Sequence, residues 1–90
     1  MKNDLEAFLK KEVVIDTRSS WIYIGTLEKI TENYMVMTDV DVHDGSDSST
    51  SKDLYIFNTR NTGIKSNRKS VYINRNYVIS FSLLEDVKEF

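Results

Sequence analysis

The sequence has no cysteine, no proline, only three glycines and one histidine among its 90 residues. Without cysteine there is no disulfide framework and no thiolate metal site to hold a small domain together. The lack also fits a reducing compartment. One histidine, no cysteine partner and no glycine-rich phosphate loop leave metal-assisted or nucleophilic catalysis little to build on. No spacing of carboxylates points to acid/base chemistry either. The chain is therefore expected to be no enzyme and to use neither metal nor cofactor. The absence of proline is consistent with strands that pair through their backbone N–H groups throughout. No apolar run is long enough to span a membrane, and the start MKNDLEAFLKK is too polar for a signal peptide. The expectation is a soluble, cytoplasmic protein without a membrane partner.

What is present is a single small domain over 1–90, with a core that is marginal for its size. A tight barrel, or association with further subunits, is the remedy open to such a chain. The net charge of −2 argues against a general nucleic-acid glue, which is usually basic. The distribution is uneven, however. Residues 1–53 hold eleven acids and six bases, whereas 54–84 hold five bases (Arg60, Lys65, Arg68, Lys69 and Arg75) and no acid. Such a segment is either a positive site or a solvated pair of strands.

Along the chain, Asn3 with Glu6 three residues later suggests a helix cap, and Leu5, Phe8 and Leu9 share a helical face. A short α-helix over about 4–11 is expected, docked on something apolar. Strand signals follow: EVVIDTR, a turn at Ser19-Ser20, WIYIGTLEKI, a turn at Thr31-Glu32-Asn33, then YMVMTDVDV. Gly25, inside the second strand, marks a sharp bend or a close backbone approach. The stretch 43–53 is polar and serine-rich and reads as a loop. LYIFNT is expected to be a further strand, and 60–69 a loop or twisted continuation. SVYI and VISFSLL close the pattern. One helix and about five antiparallel strands are most economically closed as a small, strongly bent barrel over about 12–87, with a variable extension over about 44–69.

Three local features bear on function. The last strand, 78–84, carries no charge, so as an edge it invites pairing with another chain. It is expected to be used for pairing between subunits, which closes into a ring if the rotation permits. Asp39, Asp41, His43 and Gly45 loosely follow a calcium loop. Glycine falls one position late and Thr50 stands where glutamate is needed, so the acidic residues are expected to point to solvent from one strand face. Trp21 and Tyr23 share a strand face and read as core or interface.

In their order, these residues resemble the Sm-like (LSm) family as a divergent member. Its first motif is similar to VVIDTRSSWIYIGTLEKITENYMVMTDVDV, with Gly25, Leu27, Asp39 and Val40 in place. Its second is similar to SVYINRNYVISFSLLED, where Asn76 matches but Asn74 stands where arginine is usual and Arg75 where glycine is usual. The turn at 31–34 is one residue short of the family pattern, and the middle of the chain is longer. The resemblance implies a five-stranded SH3-like barrel of the Sm type with a short N-terminal α-helix, assembled as a homo-oligomeric ring. It also implies that the turns holding Asn33, Tyr34, Asn74, Arg75 and Asn76 meet at the pore side and bind single-stranded RNA. Tyr34 or Arg75 would stack on a base, and the asparagines would meet base edges. The alternatives are a barrel that takes up a peptide strand on its edge or on the Trp21/Tyr23 face, and a purely structural ring subunit.

Overall fold

The computed structural model describes residues 4–46 and 51–89. Five strands, β1 (Glu12–Thr17), β2 (Trp21–Ile30), β3 (Tyr34–Asp44), β4 (Arg68–Asn74) and β5 (Val78–Leu83), form one antiparallel sheet in the order β4-β3-β2-β1-β5. One α-helix, α1 (Lys52–Thr62), is inserted between β3 and β4. The protein is thus a mostly-β, strongly bent five-stranded sheet with an α-helical insertion, and β4 and β5 form its two edges.

The bend has local causes. Opposite Gly25, β3 carries an extra residue: Ile24 pairs with Asp41 and Thr26 with Thr38. Asp39 takes a left-handed φ of 51° there. A Cβ on Gly25 would lie 3.0 Å from the Thr38 carbonyl oxygen and 3.1 Å from both the Asp39 oxygen and the Val40 Cα. A side chain there is crowded by backbone, the close approach that a strand-interior glycine predicts. A second irregularity lies on β2 between Leu27 and Lys29. Bulges of this kind raise twist and curl a sheet.

Strand alternation builds two apolar clusters. On one face Val13, Ile15, Leu27, Met35, Met37, Val40 and Ile73 pack with Phe8, Leu9, Val78, Phe81 and Leu83. On the other, Val14, Ile22 and Ile24 pack with Ile56 of α1 and Leu84 just beyond β5. The runs EVVI and WIYIG are apolar at consecutive positions because both faces are covered.

Several expectations need correction. The stretch LYIFNT is helix, not strand. Ser51 caps α1 by accepting from the Leu54 N–H at 3.2 Å, and Gly63 ends it with φ 94° while donating to the Thr59 carbonyl at 2.9 Å. A short apolar run does not distinguish the two states by periodicity, and the two caps decide. The N-terminal helix is a 3-10 turn, Asp4–Phe8, rather than an α-helix over 4–11. Lys10, at φ 66°, turns the chain away, and its N–H meets the Leu27 carbonyl at 2.6 Å. Phe8 docks edge-on against Phe81, with ring centroids 4.9 Å apart. The expected cap at Asn3 and part of the polar stretch, 47–50, lie outside the described residues. In β5 a bulge between the Thr17–Val78 and Asp16–Ser80 pairs resets the alternation. Ile79 is therefore thrust outward at 67% exposure, while Val78, Phe81 and Leu83 face the core. No described helix is long and apolar enough to cross a membrane.

Candidate nucleic-acid interface

The β2–β3 and β4–β5 turns are brought together by strand register, since Tyr34 at the start of β3 pairs with Asn74 at the end of β4. Arg75 then bridges them. Its backbone N–H donates to the Asn33 carbonyl at 2.9 Å, and its guanidinium Nη1 donates to the Thr31 carbonyl at 2.8 Å. The Thr31 hydroxyl accepts from the Tyr34 N–H at 2.9 Å, and the Thr31 N–H donates to the Tyr34 carbonyl at 2.8 Å. Asn74 caps a short 3-10 turn, Arg75–Tyr77, by accepting from the Asn76 N–H at 2.9 Å.

This geometry sorts the five residues. Arg75 is half-buried and holds the two turns in contact. The Asn74 side-chain oxygen is committed to the backbone of its own turn. Asn33 and Asn76 are exposed, and no hydrogen bond among the described residues engages either side-chain amide. Tyr34 is 44% exposed and meets Tyr72 of β4 edge-to-face at 6.2 Å. The arrangement thus offers two amides and an aromatic side chain on a braced backbone, with the Arg75 guanidinium partly engaged.

Tyr72 was not singled out from the sequence. It is 68% exposed, flanked by half-buried Val71 and buried Ile73, and the alternation of VYI was the available signal. Of the five bases in 54–84, only Arg75 stands at the turns. Arg68 begins β4, and a strand of seven residues sets it about 20 Å away. Arg60 donates through Nε to the Glu85 carbonyl at 3.1 Å. The basic segment is therefore spread along an edge and a helix rather than gathered into one patch. Beside β5 runs a groove of about 370 Å³, lined by Met35, Arg75, Val78, Ile79 and Phe81 among others.

The acidic face of β3 departs from expectation. Asp41 is only 5% exposed and His43 is half-buried, because α1 covers them. His43 stacks on Tyr55 at 3.6 Å with the rings nearly parallel, and the Tyr55 hydroxyl donates to Asp41 Oδ2. Burial, and then the bond to Asp41, push the Tyr55 phenol up to about 12. Trp21 is 42% exposed and Tyr23 packs against the first apolar cluster.

No protein-family model and no curated protein sequence matches the chain. Solved structures do. A Sm protein of Pyrococcus abyssii, in complex with a uridine heptamer, superposes with a TM-score of 0.61 at 13% identity, covering 91% of this chain and 99% of that one. A chain of the NatC complex bound to CoA gives 0.60 at 14% identity, covering 92% and 87%. A chain of the NatC complex bound to Gag peptide and CoA gives 0.60 at 15% identity, covering 89% and 90%. The shared feature is the Sm-type fold.

Proposed function

We propose that this protein is a ring-forming Sm-like subunit that takes up single-stranded RNA at its two joined turns. The observation that carries the reading is the Arg75 brace, which fixes Asn33, Tyr34 and Asn76 side by side on adjacent turns. Preorganised amides meet base edges, and an aromatic face stacks a base, for about 1–3 kcal/mol per base. The uridine heptamer held by the Pyrococcus abyssii Sm protein supports the ligand class. The open edge strands β4 and β5, with outward Tyr72 and Ile79, support self-association by strand pairing. A ring repeats a weak site around its circumference and gains avidity.

The test is fluorescence anisotropy with labelled oligo-uridine and oligo-adenosine at low and physiological salt. Saturable binding that weakens as salt rises and favours one homopolymer is expected. The double substitution Asn33→Ala and Asn76→Ala should weaken it about tenfold or more, with the assembly retained by sedimentation. No binding at low salt would sink the RNA reading.

A second reading rests on the same exposed edges: a barrel that pairs with a strand from a different protein. The likeness to chains of the NatC complex, a multi-protein assembly, favours it. It predicts no salt-sensitive RNA binding and a monomer when the protein is alone.

A further inference from the structure

The inserted helix α1 leaves a cavity where it meets β3. Its volume is about 200 Å³, and its walls include Asp41, Tyr55, Asn58, Thr59, Thr62 and Lys65. At the back stands a carboxylate that is almost wholly buried, Asp41 at 5% exposure. Oδ2 is held by the Tyr55 hydroxyl. Oδ1 has no hydrogen-bond or ion-pair partner among the described residues. Lys65 lines the same cavity without pairing to it. Oδ1 is not sealed in the protein but opens on the cavity, and one neutral hydroxyl leaves the carboxylate without a charge partner.

Two further walls present acceptors. The Thr59 hydroxyl donates to the Tyr55 carbonyl at 2.9 Å, and the Thr62 hydroxyl to the Asn58 carbonyl at 2.9 Å. Both protons are turned into the helix, so both oxygens keep lone pairs for a guest. The Asp41 carboxylate, two hydroxyl oxygens and the Asn58 amide oxygen outnumber the donors that Lys65 and the Asn58 NH2 bring to the cavity. The complementary guest carries a positive charge and several N–H groups on one compact head.

We propose that this cavity binds a guanidinium or primary ammonium group on the Asp41 carboxylate. The site lies under α1, away from the joined turns, and does not depend on the RNA reading.

The experiment is a two-dimensional amide NMR titration of the full chain. One arm uses agmatine, a free cation. The other uses the capped peptide acetyl-Ala-Arg-Ala-amide, with its citrulline counterpart as the uncharged control. Saturable shifts centred on Asp41, Tyr55, Asn58 and Thr62 are expected. The citrulline peptide and the variant Asp41→Asn, which keeps an acceptor for Tyr55, should each bind at least about tenfold more weakly. Saturation by agmatine alone assigns the site to a free small molecule; saturation by the arginine peptide assigns it to a side chain presented by a partner. Shifts that never saturate with either cation, that map elsewhere, or that persist unchanged in a folded Asp41→Asn variant overturn the proposal. Should Asp41→Asn fail to fold, Thr62→Val decides: unchanged affinity overturns the proposal and weakened affinity supports it.

Discussion

Gly25 occupies a point where β2 and β3 approach so closely that a side chain would force the backbone opposite it to give. A methyl group there meets backbone atoms of Thr38, Asp39 and Val40, and backbone cannot rotate aside as a side-chain tip can. Gly25→Ala should therefore cost about 1–3 kcal/mol, read as a lowered denaturant midpoint. Arg75→Ala removes the guanidinium from the Thr31 carbonyl and leaves the two turns joined only by the Arg75 backbone N–H and the β3–β4 pairing. The expected loss is about 1–3 kcal/mol, with faster amide exchange at Tyr34. Tyr55 gives a pH signature. Its phenol is raised from 10.0 to about 12 by burial and by Asp41. A raised acid contributes stability that is whole below pH 10 and is lost as pH climbs through 12. Chemical denaturation over that window should show a decline in the native chain that Tyr55→Phe lacks. Equal slopes in the two proteins would mean that the Tyr55 phenol is not raised in the folded protein.

Among the elements, α1 was the least legible in the sequence, and the strands the most. The strands announce themselves through β-branched runs and through Gly25, and the 31–34 and 74–77 turns through their asparagines. LYIF carries the residues of a strand, yet Ser51 and Gly63 bracket it as helix caps. That evidence lies at the ends of the segment rather than in its apolar content. Ser51→Ala should therefore destabilise the protein by about 1 kcal/mol, with reduced helical signal in far-ultraviolet circular dichroism. The burial of Asp41 was illegible for the same reason: alternation assigns it a face, but only knowledge of α1 reveals what covers that face. The β5 bulge was equally hidden. One extra residue at Ile79 reverses the faces expected from strict alternation, and nothing in VISFSLL marks it. Within the candidate site, the proximity of the two turns was implied by the family resemblance alone. The roles of Arg75 and Asn74 as braces of the backbone were not, because residue type alone does not say whether a polar side chain serves its own turn or a ligand.

At the scale of the whole molecule, assembly is the property most open to test. On the ring reading proposed above, Ile79→Lys places a charge on the outward bulge of an edge strand and should lower the sedimentation coefficient to that of a monomer, without loss of secondary structure. An unchanged sedimentation coefficient would remove this edge from the interface. The pairing of β1 with β5 has a further consequence, which concerns time rather than affinity. Val13 lies beside Leu83, although seventy positions of chain separate them. The meander of β1, β2 and β3 needs only short loops, so its contacts can form early. The β1–β5 seam must wait for the ends of a long loop to meet, with a loop-closure cost that no local turn reduces. The strand that follows the Arg75–Tyr77 turn is thus expected to lock last during folding and to open first during unfolding. Pulse-labelled hydrogen exchange should find Phe81 and Leu83 protected later than Ile24 and Met37.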